Sequence, residues 1–242
     1  MDKNNLFPEN NQDIHKKLWQ WSIFAAVMLM IWWQVATFFL NSFLFILMPV
    51  EIMFFMGAIV EFLFLFVFAV NITLKCGGSL KSIGLGKGIS TTVVGRGLRY
   101  GLLIYFISMA ASWLVGLFFP GEREVQEIIS VIAANQDKVV FIGFLIITVV
   151  LAPLSEEVFF RGIFYTALRT KLKKWVAAVI CSVIFAALHG NIWVMISIFV
   201  CSLFLCHLYE KYRNIWINVL AHAVWNAITI IILVVSTGLF VS

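Results

Sequence analysis

Seven mostly apolar segments, each long enough to cross a bilayer, follow one another near 18–40, 51–73, 100–119, 139–168, 175–190, 192–209 and 215–238. About 20 apolar residues in a helix span the hydrocarbon, and a backbone in lipid must satisfy its own polar groups. The expected fold is therefore an all-α, polytopic transmembrane bundle of about seven spans. Composition agrees: 62% of residues are hydrophobic and 12% charged, against roughly 25% charged in a soluble domain. Seven spans in 242 residues leave short loops and no room for a separate soluble domain. Residues 1–17 read as a polar cytoplasmic tail and 18–242 as one integral-membrane domain. The first apolar segment is too long for a signal-peptide core and lacks a small-residue cleavage site, so it is expected to remain as a span.

The basic residues set an orientation. Lys3, Lys16 and Lys17 precede span one, and Lys75, Lys81, Lys87, Arg96 and Arg99 separate spans two and three. Arg169, Lys171, Lys173 and Lys174 separate four and five, and Lys211 and Arg213 separate six and seven. The other side keeps Arg123 and Lys138 beside Glu122, Glu124, Glu127 and Asp137. The positive-inside rule then puts the N-terminus in the cytoplasm and the C-terminus outside, in the plasma membrane if the source is bacterial. The pI near 9.1 reflects this topology and an anionic inner leaflet. Membrane lipid is the implied partner of these charges, and nucleic acid is not.

Other features carry less. Cys76, Cys181, Cys201 and Cys206 form no CxxC pair, which leaves them as small apolar residues without a disulfide or zinc framework. The 74–99 loop contains Gly84-Leu-Gly86-Lys87 but has neither the strand nor the Lys-Ser/Thr of a phosphate loop, and reads as an interfacial connection. Residues 120–138 read as an external loop with a short amphipathic helix around Val125 to Ala134. Trp19, Trp21, Trp175 and Trp216 sit near span ends as interface anchors. No internal repeat is visible, which argues against an inverted-repeat transporter.

Against this background the run Ser155-Glu156-Glu157-Val158-Phe159-Phe160-Arg161 stands out. Ionisable groups inside a span are costly unless paired and mark a functional site by default. Pro153 is expected to interrupt span four, with Ser155 as the N-cap of a new helical segment and both acids in its first turn. Glu157 and Arg161, four apart, share a face and can pair. Glu156 points about 100° away, which leaves it free to act as a general base. His189 follows Phe185 by four residues, and His222 and Asn226 lie one turn apart in span seven. Either histidine alone reads most simply as a satisfied interior residue.

Depth links them. Glu156 is fifteen residues before Lys171 and His189 fifteen after Lys174, so both lie ~22 Å along antiparallel neighbours from one turn. His222 and Asn226 are ~13 Å and ~20 Å from Arg213, and Arg161 is ~15 Å from Lys171. Five polar groups on three spans should share one layer, open to the cytoplasmic half. Mid-span Glu61 either pairs with Arg161, lines the same cavity, or is an interior acid satisfied by its neighbours. Glu51 lies near the outer end of span two, and His207 at the cytoplasmic edge of span six is expected to be interfacial.

Glu156-Glu157-x-x-x-Arg161, Phe185-x-x-x-His189 and His222-x-x-x-Asn226, in that order, resemble the three motifs of the CAAX-protease and bacteriocin-processing (Abi) family, which includes type II CAAX prenyl endopeptidases. The resemblance covers about 139–230, and Ser82-Ile83-Gly84-Leu85 is similar to an upstream feature of the family. It implies an intramembrane endopeptidase in which Glu156 deprotonates a water positioned by His189. His222 and Asn226 would donate to the oxyanion, and Glu157 and Arg161 would brace the helix. It also implies a membrane-associated peptide or protein substrate, with bacteriocin or pheromone maturation or self-immunity as candidate settings. A metal-free site is favoured, since the motif is not HExxH; the alternative is a His2Glu zinc set of Glu156, His189 and His222. Two competing functions are a non-catalytic scaffold or immunity protein that binds its partner in the same cavity, and a proton-coupled transporter.

Overall fold

The computed structural model describes residues 12–44, 48–118, 138–190 and 192–237, which contain helices and connecting turns and no strand. The chain before Gln12, the expected helix at Val125–Ala134 and the side chains of Trp19 and Trp21 lie outside the described part. Helix α1 is Gln12–Leu44. Helix α2 runs from Val50–Phe62 through a π-helical stretch, Leu63–Phe68, into Ala69–Lys75. Helix α3 is Thr91–Phe118, α5 is Lys174–Ala187, α6 is Ile192–Tyr212 and α7 is Ile215–Thr237. Helix α4 is composite: Lys138–Ile146, a π-helical Ile147–Leu151, Ala152–Glu156, a second π-helical stretch Glu157–Tyr165, and Thr166–Arg169.

These seven rods coincide with the seven apolar segments and form a polytopic helical bundle. Six are long and apolar enough to cross a membrane; α5, with 14 residues, falls short. It stops because Leu188 and His189 form a turn and Gly190 takes a φ of +67°, a left-handed conformation that glycine adopts freely.

Helix α4 is the centre of the bundle, in contact with α1, α2, α5, α6 and α7. Its stretch from Glu157 to Leu168 is buried at every position, although it carries a charge pair. The expected interruption at Pro153 is not found: α4 continues through it, and Ser155 is not a cap. Its hydroxyl donates back to Leu151 O at 3.0 Å, with Ala152 O at 3.1 Å. The widened turns on either side explain the difference. Proline lacks an N–H and clashes with the carbonyl a turn behind, but a π-type turn shifts that register, and a side chain of a neighbouring helix can serve the carbonyl left without a donor. Capping rules from helices in water therefore misplace a break that lipid-embedded backbone closes locally.

Helices α3 and α7 make the most extensive pairing. Gly97 and Gly101 form a G-x-x-x-G face on α3: a Cβ on Gly97 would fall on Leu220, and one on Gly101 would lie 2.5 Å from Val224 Cβ. Small residues at this spacing let two membrane helices approach backbone to backbone. Gly101→Leu should therefore lower stability by about 1–3 kcal/mol, read as a lower thermal midpoint in detergent. Gly95→Ala, where a Cβ meets nothing within 4 Å, should be neutral.

Three connections meet at one end of the bundle, and Lys75, Lys81, Lys87, Arg169, Lys171, Lys173, Lys174, Lys211 and Arg213 lie in them or in the helix turns beside them. Glu210 of α6 accepts from Arg169 at 3.1 Å and Arg213 at 2.7 Å, and the Tyr165 hydroxyl donates to it at 3.0 Å. Lys87 donates to Tyr212 O at 2.9 Å and Ile215 N–H to Gly84 O at 3.3 Å. The Ser82-Ile83-Gly84-Leu85 stretch is thus a plug, with Ile83 fully buried.

Candidate active site

The site is built on the first turn of the second π-helical stretch of α4. Glu157 is completely buried and accepts three hydrogen bonds. Arg161 Nη1 reaches its Oε1 at 2.8 Å, His222 Nδ1 reaches the same oxygen at 2.9 Å, and Asn218 Nδ2 reaches Oε2 at 3.2 Å. Arg161, also fully buried, gives Nη2 to the Ser202 hydroxyl at 2.7 Å and lays its guanidinium over the Phe185 ring, 4.5 Å from the centroid. The expected Glu157–Arg161 pair is present, and it extends further than a brace within one helix. It joins α4 to α5, α6 and α7.

A carboxylate already paired with arginine has no proton to give, so His222 donates from Nδ1. The ring is held between Glu157 and the Trp225 side chain, which stacks on it at 5.4 Å and 28°. Nε2 then faces Glu156 Oε2 across 3.8 Å, too far for a direct hydrogen bond. Glu156 keeps 15% of its side chain exposed while Glu157 keeps none. The two adjacent acids therefore have the different surroundings expected of them: one sealed in a network, the other open beside a histidine nitrogen.

His189 is exposed at the end of α5, with Nδ1 on Phe185 O at 2.8 Å and its ring 4.8 Å from that of Phe185. Phe185 is common ground, since the His222 ring also lies 6.2 Å from it. If Nδ1 donates to that carbonyl, Nε2 of His189 is left as an acceptor. Asn226 donates from Nδ2 to Thr148 O at 2.9 Å. That carbonyl needs a donor: Ala152 N–H goes to Ile147 O, and Pro153 has no N–H to offer Thr148. One amide proton of Asn226 thus repairs the backbone at Pro153, and the second is not committed to it.

Glu61 and Arg161 form no ion pair; Arg161 is paired with Glu157. Glu61 faces Ser155 and Glu156, and its Oε1 is buried without a partner. His207 is exposed near the basic end of α6, as an interfacial residue would be. Sequence reasoning missed Asn218, Ser202 and Trp225. The one available signal was Asn218 itself, a turn before His222 on the stripe Asn218–His222–Asn226.

Glu156, His189 and His222 have donor atoms suited to zinc. However, among the described residues no three His, Cys, Asp or Glu side chains are grouped so as to hold a metal ion.

These features define a polytopic helical membrane protein with a sealed Glu–Arg–His network and a partly exposed glutamate beside it. Residues 138–228 match the family model described as "Type II CAAX prenyl endopeptidase Rce1-like", and the resemblance read from the three motifs is borne out over almost the stretch expected. The chain is also 29% identical over 87 residues to the "Putative membrane peptidase YdiL" of Bacillus subtilis (strain 168). That alignment covers 36% of this chain and 36% of the relative, so the chain spans little more than a third of it. No solved structure matches.

Proposed function

We propose that the protein is an intramembrane endopeptidase that hydrolyses a peptide bond in a membrane-associated peptide or protein precursor. The observation that carries this reading is the 3.8 Å gap between Glu156 Oε2 and His222 Nε2, with the far side of the imidazole fixed by Glu157. A water hydrogen-bonded to both groups has its lone pair free for a carbonyl carbon. Glu156 takes a proton from it as the C–O bond forms. Asn226 offers its second amide proton to the oxyanion, and Glu156 returns the proton to the leaving nitrogen as the C–N bond breaks. His222 joins Asn226 as an oxyanion donor only with a proton on Nε2, a state that Glu157 would stabilise. His189 Nε2 is the further acceptor for positioning the water.

The basic end is assigned to the cytoplasm of a plasma membrane, with the N-terminus inside and the C-terminus outside. Bacteriocin or pheromone peptide maturation, or self-immunity, is the biological setting we assign to it.

The test is cleavage of membrane-anchored peptide precursors by the purified protein, with and without a zinc chelator. Chelator-insensitive cleavage is expected. Chelator-sensitive cleavage that zinc restores would instead make Glu156, His189 and His222 metal ligands. An uncleaved peptide that still binds would favour the scaffold or immunity reading.

A further inference from the structure

We propose that Asn218 is a positioning residue: its amide holds Glu157 in the orientation that keeps the His222 proton on Nδ1 and turns a bare Nε2 toward Glu156. The kinetic part of this inference rests on the hydrolase reading; the structural part does not.

Asn218 is fully buried. It gives one amide proton to Glu157 Oε2 at 3.2 Å and the other to Leu205 O at 2.8 Å. Two acceptors at the same end fix the amide, since a flipped group would set its oxygen against a carboxylate and a carbonyl. Its own Oδ1 has no partner. A bare buried acceptor is unfavourable, so the arrangement gives up one hydrogen bond to secure the contact with Glu157.

The arginine explains why that contact matters. A guanidinium prefers to grip both oxygens of a carboxylate in a fork. Here Arg161 takes only Oε1, its other terminal nitrogen is on Ser202, and Asn218 occupies Oε2. With Oε2 occupied, the carboxylate cannot turn to a two-point grip on Arg161, and Oε1 remains available to His222. Removal of the amide frees that rotation and leaves the imidazole without its acceptor.

The experiment uses the full chain in lipid nanodiscs with 15N-labelled histidine, the His222 resonances being assigned by their loss in His222→Gln. In the wild type, His222 should show a protonated Nδ1 and a bare Nε2. In Asn218→Leu, with the same branching but no donor, the ring should become a mixture of tautomers. The kcat for precursor cleavage should fall by about 10–100-fold, the scale typical of lost supporting hydrogen bonds, with KM within about threefold. A wild-type His222 carrying its proton on Nε2, or an unchanged tautomer in a folded Asn218→Leu, overturns the proposal. If Asn218→Leu does not fold, Asn218→Ala makes the same comparison. If the wild type cleaves nothing, the hydrolase reading fails by itself and the tautomer still decides the role of Asn218.

Discussion

Glu156→Gln should reduce precursor cleavage by about 10²–10⁴-fold, the range for loss of a positioned general base, while leaving the thermal midpoint of the detergent-solubilised protein nearly unchanged. The two halves of this expectation come from one geometric fact. Glu156 lies outside the sealed network, with His222 Nε2 at 3.8 Å and part of its side chain exposed. Glutamine keeps the shape of the side chain and removes only its capacity to take a proton. Activity near wild type in a folded Glu156→Gln protein would sink the proposed mechanism. A large loss of stability would show that Glu156 is structural after all.

Arg161→Met is the change expected to cost the most stability. It leaves the Glu157 carboxylate with His222 and Asn218 but no cation, in a position with no exposed surface. Breaking a buried pair from one side costs about 3–5 kcal/mol, enough to remove much of the margin of an ordinary fold. Replacing both partners, as Glu157→Leu with Arg161→Met, should recover part of the loss because no isolated charge remains. Arg161→Lys should not rescue, since a single ammonium cannot reproduce the fork that reaches Glu157 and Ser202 together. The measurement is reversible unfolding in detergent micelles. A double variant no more stable than Arg161→Met would show that the pair is held by packing more than by charge.

The parts of this arrangement legible in the sequence are those set by spacing within one helix or by distance from a turn. Glu157 and Arg161 are four apart and pair; His222 and Asn226 share a face of α7; depth arithmetic set Glu156, the histidines and Asn226 in one layer, and His222 does approach Glu156. What could not be read depends on which helices are neighbours. Ser202 meets Arg161 because α6 packs beside α4, and Asn218 meets Glu157 because α7 does. No periodicity in α6 or α7 encodes that adjacency. The course of the chain at Pro153 was hidden for a different reason. Its outcome rests on two π-helical stretches and on a side chain, Asn226, donated from a helix 73 residues later.

On the hydrolase reading proposed above, the shortness of α5 bears on how water would reach the site. Fourteen residues rise ~21 Å, while the hydrocarbon is ~30 Å thick, so a helix starting at Lys174 ends well before the far surface. Just beyond its end come exposed His189 and Gly190 in non-helical backbone, and such backbone at that depth is tolerated only against protein or against water. This exposed turn lies against Phe185, whose ring also meets that of His222. On the mechanism proposed above, the attacking water would reach Glu156 and His222 along that turn rather than through lipid.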